Sequence, residues 1–180
     1  MSSILVGVSG SAACFKAVSV CSELKKQGHE VRALLTRSAT RLVTPLQFSC
    51  VSGNEALHDE WRPVSEDGMD HIEFAREADL FLVAPASADR IGQLALGLAG
   101  DLLGSTALAF GFQKPRLIAP AMNPEMWAHP AIRRHIETLQ SDGWNLVGPC
   151  SGVTACGEDG LGRMVEPQDI VAAVQSALEA

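Results

Sequence analysis

The sequence predicts an α/β fold: a single doubly wound parallel sheet of the Rossmann-like, flavodoxin-like kind, with helices on both faces. Three observations predict it. Short apolar runs recur at residues 3–8 (SILVGV), 31–35, 80–84 (LFLVA), 116–119 (RLIA) and 144–147 (WNLV), and continuous apolar strands belong in a sheet covered on both sides. Stretches with helical spacing separate them. The first such unit closes as strand, helix, strand, a crossover that is right-handed and makes the strands parallel.

Taken in order, residues 3–8 run into a Gly-Ser turn, after which Ala13, Ala17, Val20, Cys21 and Leu24 mark one face of a helix from Ala12 to Gln27. Gly28 closes that helix ahead of the strand Val31 to Leu35. Further helices are expected near 38–50, 72–77, 88–110 and 130–141, the last with Pro130 in its first turn. A closing helix from Gln168 to Leu178 follows Pro167 and packs through Ile170, Val171, Val174 and Leu178. No repeat, low-complexity tract or linker interrupts the 180 residues, a length suited to one compact domain.

Composition narrows the function. Hydrophobic residues make up 47% and charged ones 19%, which supports a packed core and excludes disorder. Fourteen Lys and Arg against 21 Asp and Glu give a net charge of −7, the wrong sign for a nucleic-acid partner. The first apolar stretch, Ile4 to Val8, is too short for a membrane span and lacks the basic lead-in of a secretion signal. A cytoplasmic protein with no membrane partner is expected. Five cysteines without a CxxC pair suggest neither a metal site nor a disulfide framework. Most read as small buried hydrophobes, whereas Cys156 lies among turn-forming residues where a thiol stays accessible.

In doubly wound folds ligands sit beyond the carboxyl ends of the strands, which singles out five loops. Gly7-Val-Ser-Gly10-Ser11 offers backbone N–H groups and a hydroxyl at a helix start, suited to an anion, although a tight turn alone reads the same way. Thr36, Ser38 and Thr40 add hydroxyls after the second strand, where they could equally be caps. Pro85-Ala86-Ser87-Ala88-Asp89 places small residues where a planar ring can approach the backbone, as a capped helix start also would. Pro120-Ala121-Met122-Asn123-Pro124-Glu125-Met126-Trp127 sets an amide beside two thioethers and an indole; Asn can donate to a carboxylate while Met and Trp exclude water. The alternative is a hydrophobic plug with Asn as its cap. The last loop, from Ala155 through Cys156, Gly157 and Arg163 to Met164 and Glu166, reads as a mobile glycine-rich flap able to close over a ligand. His71, just ahead of the third strand, is by itself either a cap or surface residue or a base.

Together these segments resemble the homo-oligomeric flavin-containing cysteine decarboxylases, most closely the branch acting on 4′-phosphopantothenoylcysteine in coenzyme A biosynthesis. Pro120 to Trp127 matches the Pro-x-Met-Asn-x-x-Met-Trp pattern in full, Ala155 to Met164 the Ala-Cys-Gly flap, and His71-Ile72 the His-Ile pair. The resemblance spans nearly the whole chain. It implies FMN as cofactor, with Gly10, Ser11, Ala12, Thr36, Ser38, Ser87, Ala88, Asp89 and Met122 around it. It implies His71 as base, Asn123 as the group that binds the substrate carboxylate, and Cys156 as the acid. Asn123, Met126, Ala155, Gly157, Arg163 and Met164 would contact a small substrate ending in cysteine. It further implies a homo-oligomer built from trimers, with each site at a subunit contact.

The chemistry accounts for these residue types. Decarboxylation leaves a carbanion that needs an electron sink, and no Lys stands in an evident pyridoxal context. If flavin takes a hydride from the carbon bearing sulfur, the thiol becomes a thioaldehyde and the carboxylate lies β to C=S. Loss of CO₂ then yields an enethiolate, which reduced flavin hydrogenates if an acid such as Cys156 gives a proton. One departure stands out, since Asp89 falls where many members have Asn. The ligase domain that follows in many bacterial relatives is not expected in this chain. Two rivals remain: a peptidyl-cysteine decarboxylase that stops at the enethiol, and a non-catalytic FMN-binding regulatory subunit.

Overall fold

A computed structural model describes residues 1–180. Strands β1 (Ser3–Val8), β2 (Glu30–Leu35), β3 (Leu80–Ala86), β4 (Arg116–Pro120) and β5 (Trp144–Leu146) form one parallel sheet in the order β2-β1-β3-β4-β5. The expected doubly wound fold is therefore the observed one. All seven residues of β3 and all five of β4 are buried, as strands at the centre of a two-sided sheet must be.

Each face has its own core. On one, α1 (Cys14–Lys26), α2 (Pro45–Ser52) and α8 (Pro167–Glu179) cover Ile4, Val6, Val8 and Leu82. On the other, α3 (Asp70–Glu77), α4 (Ala88–Ala95), α5 (Leu102–Ala109) and α7 (Pro130–Ser141) cover Leu5, Phe81, Val83 and Ile118. Successive residues of β1 thus serve opposite cores, the period-two alternation of a strand. No helix is long and apolar enough to cross a membrane.

The structure corrects four expectations about elements. The helix expected near 38–50 is a short 3-10 turn (Ala39–Arg41) followed by α2, because Pro45 forces Thr44 into extended backbone. Thr44 and Gln47 then cap α2 reciprocally. The helix expected over 88–110 breaks between α4 and α5, where Gly97 takes a φ of +66° and Asp101 caps α5 while pairing with buried Arg90. The loop from Pro120 to Trp127 contains a short helix, α6 (Pro124–Ala128). Finally, the glycine-rich flap is a hairpin of β6 (Cys150–Val153) and β7 (Asp159–Arg163), paired antiparallel. Its glycines serve contact: a Cβ on Gly160 would lie 2.9 Å from Pro124, and one on Gly162 would lie 2.6 Å from the Met122 carbonyl oxygen.

Of the cysteines, only Cys14 and Cys21 are buried. Burial pushes the Cys21 thiol up to about 12. Cys50 and Cys156 are exposed and Cys150 is half-buried, fewer core cysteines than expected.

Candidate active site

The strand order reverses direction between β1 and β3, so the crevice at their carboxyl ends is the topological switch point where such folds bind ligands. Several contacts draw the surrounding loops together. The Ser9 hydroxyl donates to the Pro85 carbonyl and accepts from the Ser87 N–H, each at 2.8 Å. Gly10 abuts Ser38 so closely that a Cβ there would stand 2.5 Å from the serine's own. Ser87 caps α4 by accepting from the Arg90 N–H, and buried Thr36 accepts from the Ala39 N–H at 3.2 Å. Gly10, Thr36, Ser38, Ser87 and Ala88 thus form one cradle of small and hydroxylated residues. The N–H groups of Gly10, Ser11 and Ala12 donate no hydrogen bond within the chain, which leaves them free for an anion at the start of α1. Free backbone N–H groups at a helix start beside small and hydroxylated residues fit a flavin mononucleotide.

Beside the cradle opens a cleft of about 400 Å³ between the start of α1, the loop after β4, and the hairpin. It unites Ser11, Ala12, Met122, Asn123, Ala155, Cys156, Arg163 and Met164. Asn123 is the N-cap of α6: its Oδ1 accepts from the N–H groups of Glu125 and Met126 at 2.8 and 3.2 Å. That cap settles the orientation of the amide, so its NH₂ faces the cleft. There Nδ2 donates to the Cys156 Sγ at 3.4 Å and to the Glu158 carboxylate. The Met122 N–H donates to the Gly162 carbonyl at 3.0 Å and holds β7 against this loop.

Cys156 occupies the hairpin turn, exposed, with the Thr154 hydroxyl 3.0 Å from its sulfur. The Thr154 hydrogen bond first, then those from Asn123 and the backbone at Glu158, hold the thiol below its usual range. The Glu158 charge works in the opposite direction.

Other expected residues lie elsewhere. Met126 is exposed on α6 outside the cleft, and Gly157, at φ +84°, forms the turn beyond Cys156. Asp89 is exposed in the first turn of α4 and accepts from Gln93 Nε2 at 3.1 Å, so it serves its own helix. His71 lies in the first turn of α3, which packs on the opposite face of the sheet from α1. Asp70 anchors the first turn of α3 by accepting the N–H groups of Val64 and Ser65. His71 does not line the cleft that holds Cys156.

Sequence reasoning missed Lys16, Thr154 and Glu158. Lys16 lines the cleft, nearly buried, with Nζ 3.0 Å from Glu166 and 3.2 Å from the Met164 carbonyl. A cation as third residue of a helix opposes the helix dipole, and that anomaly was a readable signal. Nothing in the sequence marked Thr154 or Glu158 as facing Asn123, because a hairpin brings them there.

A probable phosphopantothenoylcysteine decarboxylase of Streptococcus mutans is 35% identical over 97% of this chain and 98% of its own length. The bifunctional coenzyme A biosynthesis protein CoaBC of Haemophilus influenzae is 42% identical over 95% of this chain, which spans only 42% of that protein. A Cys-to-Ser mutant of PPC decarboxylase complexed with pantothenoylaminoethenethiol superposes with a TM-score of 0.88 at 34% identity, covering 99% of both chains. The FMN-dependent cysteine decarboxylase SpaF does so with 0.85 at 29% identity, covering 99% of this chain and 96% of its own. The flavoprotein family model matches residues 1–179, and the chain belongs to the flavoprotein family.

Proposed function

We propose that the chain decarboxylates 4′-phosphopantothenoylcysteine to 4′-phosphopantetheine with FMN as cofactor, a step of coenzyme A biosynthesis. The observation that carries this reading is the convergence of the Asn123 amide and the Cys156 thiol, 3.4 Å apart, at the mouth of the switch-point crevice. The similarity to the Streptococcus mutans and PPC decarboxylase proteins supports the substrate assignment.

When bound, FMN supplies a site that accepts a hydride and returns it. The Gly10 to Ala12 N–H groups and the Ser38 and Ser87 loops hold its phosphate and ring, while Met122 walls the adjoining cleft. Asn123 Nδ2 donates to the cysteine carboxylate and keeps the breaking C–C bond in line. Cys156 gives its proton to the product carbon as the enethiol is reduced, and water restores that proton. Arg163 and Lys16 place cationic groups along the cleft for the phosphorylated arm.

His71 enters from a neighbouring copy. The absence of His71 from the lining of the cleft that holds Cys156 supports a homo-oligomer built from trimers with each site completed at a subunit contact.

The test is conversion of 4′-phosphopantothenoylcysteine by the purified, FMN-loaded protein, followed by CO₂ release and product mass. Release of one CO₂ with the mass of 4′-phosphopantetheine is expected, and Cys156→Ser should accumulate the enethiol. A wild-type protein that itself stops at the enethiol would favour the peptidyl-cysteine reading. Flavin bound without CO₂ release from any cysteine-ended substrate would favour the regulatory subunit.

A further inference from the structure

Asn123 has one donor group to offer a ligand, because its Oδ1 is committed to the start of α6. That group is engaged by Glu158 and Cys156. The Glu158 backbone is pinned in the hairpin turn, where its carbonyl accepts from the Thr154 N–H at 2.8 Å. Its side chain forms no ion pair with any Lys or Arg, and its carboxylate's one hydrogen-bond donor is the Asn123 amide. An exposed carboxylate thus turns inward onto the group that the proposed function assigns to a substrate carboxylate.

We propose that Glu158 is an internal stand-in for the substrate's carboxylate, holding the Asn123 amide until a cysteine carboxylate enters and takes its place. The inference rests on the reading of Asn123 as the carboxylate seat. The two N–H bonds of the amide point at Glu158 and Cys156, so an entering acceptor finds neither free. Two carboxylates on one nitrogen also repel each other. Displacement therefore demands a ligand group that binds the amide as strongly as Glu158 does. An ionised carboxylate does, through a charge-assisted hydrogen bond, whereas a neutral amide or ester does not. Glu158 thereby acts as a specificity-determining residue that screens out cysteine derivatives blocked at the acid, by competition and not by shape. The same exchange moves a negative charge away from Cys156 when the site fills.

Two small thiol reagents that differ only in the group at issue test this. Iodoacetate brings a carboxylate to Cys156 and iodoacetamide brings a neutral amide, and the ratio of their rates at Cys156 cancels changes in thiolate fraction. The rates are read by peptide mass in the FMN-loaded protein, with exposed Cys50 as internal reference. Glu158→Gln should raise the iodoacetate-to-iodoacetamide ratio about tenfold over wild type, most of it from the seat opened at Asn123 and the smaller part from the lost charge repulsion. Adding Asn123→Ser, which keeps a capping oxygen but cannot reach the cleft, should abolish most of that gain. An unchanged ratio in Glu158→Gln, or a gain that survives Asn123→Ser, overturns the proposal. In turnover, Glu158→Gln should lower KM for the substrate several-fold while kcat moves less. If alkylation follows the expected pattern but the substrate is not decarboxylated, the stand-in holds and the proposed function fails. If turnover is normal and the ratio does not move, the stand-in fails alone.

Discussion

Gly162 lies against Met122 with no room for a side chain: a Cβ would sit 2.6 Å from the Met122 carbonyl oxygen, while the Gly162 carbonyl accepts the Met122 N–H at 3.0 Å. Its φ of +150° adds a conformation that L residues rarely adopt. This one contact aligns the hairpin with Asn123 and so carries Cys156 to the cleft. Gly162→Ala should cost about 1–3 kcal/mol of stability from strain and forced separation. Thermal unfolding measures that cost. Decarboxylation should fall far more than the stability loss explains, because a hairpin displaced by about 1 Å misplaces the acid.

Thr154 should control the titration of Cys156. The thiol lies below its ordinary range chiefly because the Thr154 hydroxyl stabilises the thiolate, with Asn123 second. Removing the first donor by Thr154→Val therefore raises the pKa. Iodoacetamide alkylation of Cys156 depends on the thiolate, so its rate-against-pH curve should move to higher pH in the variant. The Cys50 curve in the same sample should stay in place. A Cys156 curve that does not move would show that the hydroxyl contact has no part in setting the thiol.

Much of this site was legible before folding and some was not, for physical reasons. Apolar runs revealed the strands because a two-sided sheet needs them, and the strand ends then named the loops holding Ser11, Asn123 and Ser87. Asn123 was readable as a cap or a ligand, and it is a cap whose other end faces the cleft. The hairpin was hidden because Gly152, Gly157, Gly160 and Gly162 carry a turn signal but no strand propensity. Pairing there follows from docking on α6 and not from local preference. Glu158 was invisible for the same reason, since its partner lies 35 residues away. The split of the expected helix over 88–110 likewise depends on a distant fact, the buried Arg90 that turns back to Asp101.

Gly10 should decide flavin retention. A methyl group at this position meets the Ser38 Cβ at 2.5 Å, a contact that can be relieved only by parting the loops after β1 and β2. Those loops form the cradle assigned to FMN. Gly10→Ala should therefore purify with well under half of the wild-type flavin absorbance and bind added FMN about tenfold more weakly, which corresponds to about 1.4 kcal/mol. The far-ultraviolet circular dichroism should be unchanged, since the sheet core lies below the loop. Full flavin occupancy in Gly10→Ala would remove this loop from the cofactor site.

Separate delivery of His71 and Cys156 by different copies can be read by mixing two inactive variants. His71→Asn and Cys156→Ser each lack one group in every site of a uniform trimer. In a mixed cyclic trimer, one of the three contacts pairs an intact His71 from one copy with an intact Cys156 from the next. Random remixing at equal amounts makes about three quarters of trimers mixed, so about a quarter of wild-type site activity should return. Co-expression or reversible dissociation supplies the mixture, and formation of 4′-phosphopantetheine measures the recovery. Activity that stays at the level of the separate variants, in material shown by mass to contain mixed trimers, would mean that one chain supplies both groups. The geometry argues against that, because His71 is not among the residues that line the cleft with Cys156.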